Sequence, residues 1–280
     1  MSERYAVIGN PIAHSKSPLI HTAFARACHQ DIEYQAIETT AEGFADAVRA
    51  FRDGGGRGLN VTTPFKTLAF ELADSHSERA GQAGAANTLV CGAAGIHAEN
   101  FDGIALVRDI QDNLSFPLLG RRVLLLGAGG AVRAALAPIL AQQPLEVLIA
   151  DRTGEKATQL ARTRAPAGVA MARLRGCALA QLGATSLAAF DLVINGTSAS
   201  LRGELPALPV TAWSAGGMAY EMAYGRGLTP FLRLARSAGV TRLADGVGML
   251  VEQAADAFHL WRGVRPATRA VIEMLRVPLS

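Results

Sequence analysis

The sequence predicts an α/β protein of two domains, and three observations lead to that prediction. Within its 280 residues, the first third alternates short apolar strands with helices, which is typical of a mostly parallel sheet. A glycine-rich turn at 127–131 then separates an apolar strand from a helix. About 120 residues precede this turn, which is roughly the length of one domain. We therefore expect a separate, mostly parallel α/β domain N-terminal to the one that contains the turn.

The N-terminal region is predicted to fold in the order β-α-β-α-β, followed by a hairpin. Strands are predicted at 5–8, 32–37 and 59–62, helices at 17–29, at 44–52 and after Pro64, and the hairpin at 89–90 and 95–98. Ser17 is the predicted N-cap of the first helix and Pro18 its first helical residue, because serine and proline favour those places. Three glycines at 54–56 end the second helix.

The middle of the chain has the pattern of a Rossmann-type dinucleotide-binding domain. Four apolar residues at 123–126 predict a buried parallel strand, and 131–140 predict a helix. The turn between them would hold a pyrophosphate at the helix N-terminus. Val132 takes the place of the last glycine of the usual pattern, so a turn without a ligand is the alternative. Further strands are predicted at 146–150, 190–194 and 218–222, and helices at 103–112, 246–261 and 267–275.

The residues after the strand at 146–150 give conflicting indications about the cofactor. They follow the glycines by about 20 residues, where this fold reads the adenosine ribose. Arg152, Thr153 and Lys156 favour the 2′-phosphate of NADP by charge and hydrogen bonding. Asp151 favours the free 2′-hydroxyl of NAD and repels a phosphate. Both cofactors stay open on these residues, as does a solvated surface turn without a ligand.

Polar side chains follow the first and third predicted strands, at the sheet edge where open α/β folds bind ligands. Ser15 and Ser17 can donate hydrogen bonds to a carboxylate, and Ser17 also suits a helix cap. Lys66 follows the third strand, and Asp102 stands at the crossover into the second domain. Each charge alone is typical of a solvated surface. Together, an ammonium and a carboxylate can handle the proton that accompanies hydride transfer.

Composition argues against several other classes of protein. The net charge is only +3 and the basic residues are scattered, so no nucleic-acid-binding surface is predicted. The three cysteines are widely spaced and lack a Cys/His ligand pattern, which predicts neither disulfides nor a metal site and suits a cytoplasmic protein. The N-terminus shows no signal-peptide pattern. Arg133 and Pro138 interrupt the apolar stretch at 123–141, so no membrane segment is expected.

Six motifs together resemble those of the shikimate dehydrogenases, in the same order and over essentially the whole chain. The matching runs are GNPIAHSKSPLIH at 9–21, NVTTPFK at 60–66, AGAANTL at 83–89, GAGGA at 127–131, NGTSAS at 195–200 and DGVGMLVEQAADAF at 245–258. The resemblance implies reversible, NADP-linked reduction of 3-dehydroshikimate to shikimate, a step of aromatic amino-acid biosynthesis. It also implies a substrate domain made of 1–101 and 246–280, a dinucleotide-binding domain at 102–245, and a monomer or a homodimer.

The resemblance assigns roles to individual positions. Lys66 and Asp102 correspond to the catalytic pair, in which Lys66 donates a proton to the developing alkoxide and Asp102 orients it. Ser15 and Ser17 correspond to the residues that hold the substrate carboxylate, with Tyr224 assisting. The positions implied to bind the ring hydroxyls are Thr62, Asn87 and Gln253, and those implied to bind the cofactor are Gly127, Gly129, Gly130, Ala131, Asp151, Arg152, Thr153, Lys156, Gly246 and Met249.

Three positions depart from the family pattern. Phe101 stands where the family has threonine, so a hydroxyl is lost and, if the ring faces the substrate, the pocket is smaller. Asp151 stands where NADP-specific members have asparagine, which keeps NAD possible, and Glu221 replaces an aspartate. These departures leave two alternatives: a quinate- or shikimate-type dehydrogenase that uses NAD, and a dinucleotide-binding relative with little turnover. Retention of Lys66 and Asp102 argues against the second.

Overall fold

The structure, a computed structural model, describes residues 2–163, 173–182, 189–197, 199, 203–204, 208–225 and 227–279. Its contacts divide the chain into two compact units. The first comprises Met1–Ala105 and Leu250–Met274, and the second comprises Leu106–Met249 and Leu275–Ser280. Each unit contains one six-stranded sheet together with helices, which confirms the predicted α/β class. The predicted domain boundaries, after residues 101 and 245, lie slightly before these divisions, and the functional roles of the two units stay predictions at this point.

The first unit begins with the predicted alternation. Its elements are β1 (Glu3–Gly9), α1 (Ser17–Ala27), β2 (Ile32–Glu38), α2 (Phe44–Asp53), β3 (Gly56–Val61), α3 (Lys66–Leu72), β4 (Ser75–His76), α4 (Glu78–Ala83), β5 (Thr88–Gly92), β6 (Gly95–Glu99) and α5 (Asp102–Arg108). The strand order is β2-β1-β3-β5-β6-β4. β1 is parallel to both β2 and β3, whereas β5 is antiparallel to β3 and forms the predicted hairpin with β6.

The start of α1 differs from the prediction that Ser17 is its N-cap. Lys16 occupies the N-cap position, and Ser17 is the first helical residue. The reason lies one residue upstream, because the backbone N–H of Ser17 donates to Ser15 Oγ at 3.3 Å. Ser15 therefore satisfies the backbone amide of the first helical residue. Pro18 lies in the first turn, as expected.

The loops after β1 and β3 meet at one edge of the first sheet. The chain leaves β1 for β2 on one side and returns to β3 on the other, which makes this edge a topological switch point. The N–H of Thr62 donates to Ile8 O at 3.0 Å, and that of Asn10 donates to Thr63 O at 3.2 Å. A Cβ at Gly9 would lie 2.4 Å from Thr62 Cγ2, so the close approach requires glycine.

The second unit is a Rossmann-type sheet. Its elements are β7 (Arg122–Leu126), α6 (Gly130–Leu140), β8 (Glu146–Asp151), α7 (Gly154–Thr163), β9 (Arg173–Ala178), β10 (Phe190–Asn195), β11 (Trp213–Glu221), α8 (Pro230–Ser237) and β12 (Arg242–Asp245), and the helices α9 (Val247–Arg262) and α10 (Arg269–Leu275) follow. The strand order is β12-β11-β10-β7-β8-β9, and all neighbouring strands in it are parallel. The order reverses between β7 and β10, so this sheet also has a switch point.

Some elements of the second unit differ from the sequence prediction. The helix predicted at 103–112 is α5 followed by a π-helical turn at Asp109–Asn113. The sequence does not predict β9 or β12. β9 includes Arg173, Arg175 and Gly176 among its six residues, and β12 has only four residues, so neither shows an apolar run.

His21 lies fully buried in an aromatic cluster of the first unit. Its ring stacks on that of Tyr34, with centroids 4.3 Å apart, and lies 5.4 Å from Trp261. Burial lowers the pKa of His21 from 6.5 to about 3. The imidazole is therefore neutral at neutral pH, and charging it would oppose folding.

We expect acid to destabilise the protein through His21. Its pKa is lower in the folded state than in the unfolded chain, so the unfolded chain takes up the proton first and stability falls as the pH drops from about 6.5 to about 3. Above that window the residue adds no pH dependence, and below it the cost is complete. Within the window, this residue should lower the free energy of unfolding by up to about 1.4 kcal/mol per pH unit. Urea titrations of the wild type and His21→Phe at several pH values measure the effect, and parallel pH profiles would contradict it.

Candidate active site and cofactor site

Lys66 and Asp102 form an ion pair in the first unit. Lys66 is the first residue of α3 and Asp102 the first residue of α5. Lys66 Nζ lies 2.6 Å from Asp102 Oδ2, with the side chain of Lys66 32% exposed and that of Asp102 8% exposed. The ammonium is thus reachable from solvent, whereas the carboxylate that holds it is buried. A partly exposed proton donor on a fixed acceptor is an arrangement suited to general acid–base chemistry.

Asn87 holds the other oxygen of Asp102. Its Nδ2 donates to Asp102 Oδ1 at 2.9 Å and lies 3.3 Å from Gln253 Oε1. Its Oδ1 accepts the backbone N–H of Phe101 at 3.1 Å. Asn100 Oδ1 in turn accepts the N–H of Asp102 at 3.0 Å, so backbone and side chain of Asp102 are both fixed. The structure therefore brings four of the sequence-predicted residues together: Lys66, Asp102, Asn87 and Gln253.

Ser15, Ser17 and Thr62 lie at the switch point of the first sheet. The two serines belong to the connection from β1 to α1, and Thr62 directly follows β3. Ser17 is buried. Because Thr62 packs beside Gly9, the loops that carry these three hydroxyls are neighbours. Their hydroxyls line the sheet edge at which a carboxylate or hydroxyl ligand would bind in such a fold.

The ring of Phe101 is covered by an arginine. The guanidinium carbon of Arg79 lies 5.4 Å from the ring centroid, within cation–π distance. Arg79 is held in place by a bidentate contact with the buried Glu99, whose Oε2 lies 2.6 Å from Arg79 Nη2. The large side chain of Phe101 therefore has a packing partner of its own. Phe101 is itself buried, whereas the side chain of Arg79 is 45% exposed, so the guanidinium covers the ring from the solvent side.

The glycine turn of the second unit has the form of an anion cradle. Gly127 has φ of +101°, which favours glycine, and its Cβ position lies 3.2 Å from Thr197 Cγ2 in the loop after β10. A Cβ built at Gly129 would meet no atom within 4 Å, so the backbone at the start of α6 faces open space. No side chain caps α6 at Gly129, its N-cap residue. A pyrophosphate therefore fits here against helix amides.

Asp151 braces the glycine turn. One carboxylate oxygen accepts the N–H of Ala128 at 2.9 Å, and the other accepts the N–H of Thr153 at 2.9 Å. Both carboxylate oxygens thus already accept hydrogen bonds from the backbone, so neither needs a ribose hydroxyl as a donor. Arg152 and Lys156 are exposed beside it. These cations are available to a 2′-phosphate, so the residues fit NADP.

Asn195 and Glu221 form a buried link that the motifs alone do not reveal. Glu221 is fully buried, and its two oxygens lie 3.1 Å from Asn195 Nδ2. Thr229, the N-cap of α8, also donates to Glu221 at 2.9 Å. Asn195 Oδ1 accepts the hydroxyl of Thr197 at 2.7 Å. Glu221 therefore connects the loop after β10 with the start of α8, while the next serines of the predicted motif, Ser198 and Ser200, lie outside the described residues.

Gly246 and Met249 lie at the start of α9, where the backbone is crowded. A Cβ at Gly246 would lie 2.2 Å from Met222 O, so glycine is required there by close approach. Met249 packs against the same core as Ala128 of the glycine turn. Tyr224 follows β11, and its side chain is exposed. These predicted residues therefore belong to the carboxyl edge of the second sheet.

Comparison with known proteins assigns the chain to a family. Residues 7–89 match the family described as shikimate dehydrogenase substrate binding domain, 108–202 match shikimate / quinate 5-dehydrogenase, and 246–276 match shikimate 5'-dehydrogenase C-terminal domain. The shikimate dehydrogenase (NADP(+)) of Nitrosospira multiformis is 53% identical over 284 residues, covering 100% of this chain and 99% of that protein. The chain belongs to the shikimate dehydrogenase family.

Solved structures of the family support the fold. A crystal structure of an Ael1 enzyme from Pseudomonas putida is 56% identical, covers 100% of both chains and superposes with a TM-score of 0.92. The shikimate 5-dehydrogenase of Thermus thermophilus, in complex with NADP(H) and shikimate, is 30% identical, covers 98% of both chains and has a TM-score of 0.85. No helix within the described ranges combines the length and apolar composition needed to cross a membrane.

Because Asp151 holds the glycine turn in this member of the shikimate dehydrogenase family, removing its carboxylate should weaken cofactor binding. Asp151→Ala should raise the dissociation constants of NADP⁺ and NAD⁺ alike, by about tenfold, because it removes two charge-assisted hydrogen bonds from the glycine turn. Arg152→Ala is the matched control and should weaken NADP⁺ by about tenfold while leaving NAD⁺ unchanged. Fluorescence titration measures all four constants. A selective loss of NAD⁺ binding in Asp151→Ala would instead make Asp151 a ribose-binding residue.

Proposed function

We propose that this protein catalyses the reversible, NADP-linked interconversion of shikimate and 3-dehydroshikimate. The observation that carries the proposal is the 2.6 Å pair of Lys66 and Asp102, held by Asn87 in the substrate unit of a shikimate dehydrogenase fold. The family relatives bear the name shikimate dehydrogenase (NADP(+)). A proton donor of this kind is what reduction of a ring ketone to an alcohol requires.

Lys66 is the residue proposed to transfer the proton to and from the substrate oxygen. When a carbonyl oxygen gains negative charge during reduction, the Nζ of Lys66 donates a proton to it, and in the reverse direction the same nitrogen accepts the hydroxyl proton. Asp102 fixes Nζ through Oδ2 and balances the charge of the ammonium. NADP supplies or accepts the hydride when it is bound. Asn87 and Gln253 have amide groups near Asp102 and are proposed to orient the ring hydroxyls together with Thr62.

Recognition of the substrate carboxylate is proposed for Ser15 and Ser17, with Tyr224 assisting. Hydroxyl donors on short side chains suit a carboxylate without adding a cation that would compete with Lys66 for it. On the cofactor side, Gly127, Gly129, Gly130 and Ala131 are proposed to hold the pyrophosphate, with Gly246 and Met249 further along the cofactor. The adenosine phosphate is proposed to bind Arg152, Thr153 and Lys156.

A cytoplasmic location is also proposed. Cys28, Cys91 and Cys177 are free thiols, and burial raises the pKa of Cys91 to about 11 and that of Cys177 above its usual value. Such thiols stay protonated and suit a reducing compartment.

Steady-state kinetics with two substrates and two cofactors test the proposed function. Oxidation of shikimate and of quinate is followed at about 340 nm, the nicotinamide absorbance, with NADP⁺ and with NAD⁺. Shikimate with NADP⁺ should have the highest kcat/KM of the four combinations. A preference for quinate or for NAD⁺ would move the assignment to the alternative, a quinate- or shikimate-type dehydrogenase that uses NAD. Tight NADP⁺ binding without turnover in any combination would overturn it in favour of a binding protein.

A further inference from the structure

A chain of buried hydrogen bonds runs from β2 to the catalytic carboxylate of the first unit. Tyr34 Oη lies 2.7 Å from Asn60 Oδ1, and Asn60 Nδ2 lies 3.3 Å from Thr88 Oγ1. Thr88 Oγ1 lies 3.0 Å from Asn87 Oδ1. Asn87 then reaches Asp102 at 2.9 Å. Asn60 and Thr88 are only 4% and 0% exposed, so water does not substitute for these contacts.

The carboxylate of Asp102, at the end of this chain, fixes which group donates and which accepts in every hydrogen bond of the chain. A carboxylate only accepts, so the group of Asn87 that faces Asp102 must be its NH₂. The Oδ1 of Asn87 therefore faces Thr88 and also accepts the N–H of Phe101, which only donates. Thr88 donates its single hydroxyl proton to Asn87, so its oxygen must accept the hydrogen bond from Asn60 Nδ2. All donors consequently point towards Asp102.

Tyr34 is the first donor of the chain. Its hydroxyl is the group that faces Asn60 Oδ1, which can only accept. Burial raises the pKa of Tyr34 well above its usual value of 10, so the phenol keeps its proton throughout the pH range in which the protein works. The chain thus extends from Tyr34 on β2 to Asp102.

We propose that Tyr34, Asn60 and Thr88 are positioning residues for the Lys66–Asp102 pair. The inference rests on the proposed function, since it concerns the same pair. Aligned donors polarise one another and strengthen the last bond of the chain, the one to Asp102 Oδ1. With Oδ1 held in this way, Oδ2 is left facing Lys66 Nζ. The residues act on the rate through the placement of Lys66 and not through contact with the substrate.

Thr88 offers the sharpest test because two substitutions separate its hydroxyl from its shape. Thr88→Val keeps the shape and removes the hydroxyl, leaving Asn60 Nδ2 without its acceptor. It should lower kcat for shikimate by about tenfold, while the KM for shikimate and the dissociation constant of NADP⁺ change by less than about twofold. Thr88→Ser restores the hydroxyl and should keep kcat within about twofold of the wild type. Tyr34→Phe should lower kcat by about threefold, the smaller effect of a more distant link.

Two further measurements make each outcome decisive. Tyr5→Phe removes a buried-ring hydroxyl that binds Glu3 instead of the chain, and it should leave kcat unchanged. The wild type and Lys66→Ala report on the proposed function: absent turnover in the first, or full turnover in the second, overturns that function itself. If both behave as proposed, an unchanged kcat in Thr88→Val and Tyr34→Phe overturns the positioning role. Equal losses in Thr88→Val and Thr88→Ser overturn it as well, because packing would then be responsible.

Discussion

Lys66→Ala should lower kcat for shikimate oxidation by about 100-fold or more, the usual loss when a general acid–base group is removed. The dissociation constant of NADP⁺ should stay within about twofold, because Lys66 lies in the first unit and the glycine turn in the second. The free energy of unfolding should fall, because the Asp102 carboxylate, only 8% exposed, loses its cationic partner. Steady-state assays measure kcat, cofactor titration measures the dissociation constant, and urea denaturation measures the free energy of unfolding.

Lys66→Arg separates proton transfer from electrostatics. Arginine keeps the positive charge beside Asp102 but does not release its proton at working pH. If Lys66 transfers a proton, this variant should be as slow as Lys66→Ala. Activity close to that of the wild type would contradict proton transfer and leave Lys66 with a purely electrostatic role.

Gly129→Val should weaken NADP⁺ binding by about 30-fold, which corresponds to about 2 kcal/mol of steric conflict. The Cβ position at Gly129 is open, and its backbone, at φ −80° and ψ −175°, is an extended conformation that valine tolerates. The fold should therefore survive, with the unfolding midpoint lowered by no more than about 4 °C through the poorer helix cap. The added methyl groups would occupy the space in which the pyrophosphate is proposed to bind.

Gly92→Ala provides the matched control for this substitution. Gly92 lies in the β5–β6 hairpin of the first unit, and its Cβ position has only one neighbour, at the ordinary contact distance of 3.8 Å. This variant should bind NADP⁺ as the wild type does. Unchanged NADP⁺ affinity in Gly129→Val, with a cooperative unfolding transition, would place the pyrophosphate elsewhere.

Sequence patterns predict the parts of this fold that depend on local chemistry. The strand–glycine–helix unit at β7 and α6 and the alternation of the first unit are predicted because buried parallel strands are apolar along their whole length. β9 and β12 are not predicted from the sequence. β9 is an edge strand with two arginines and β12 has only four residues, so neither shows an apolar run. Ser17 likewise fits an N-cap by type, but only the structure shows that Lys16 occupies that position.

The candidate site, like the fold, has parts that the sequence predicts and parts that it does not. The types and order of Lys66, Asn87 and Asp102 in their motifs predict a catalytic set, because the motifs resemble a known family. The relation of Asp151 to the glycine turn is not predictable, since its residue type fits a ribose contact equally well. The contact of Thr88 with Asn60 joins β5 to β3 across an antiparallel pair, and nothing in either local sequence indicates that register.

The division of the first unit between the two ends of the chain has a consequence for its synthesis on the ribosome. Trp261 of α9 donates to Leu89 O and stacks on Tyr5, with ring centroids 4.8 Å apart, and Gln253 contacts Asn87. The nascent N-terminal sheet therefore waits for residues 250–274 while all of 106–249 emerges, so the first unit cannot be completed until almost the whole chain has been made. During that delay, apolar strand surface around Tyr5 is uncovered and open to chaperones. Competence of the Lys66 site should accordingly be the last property that a newly made molecule acquires.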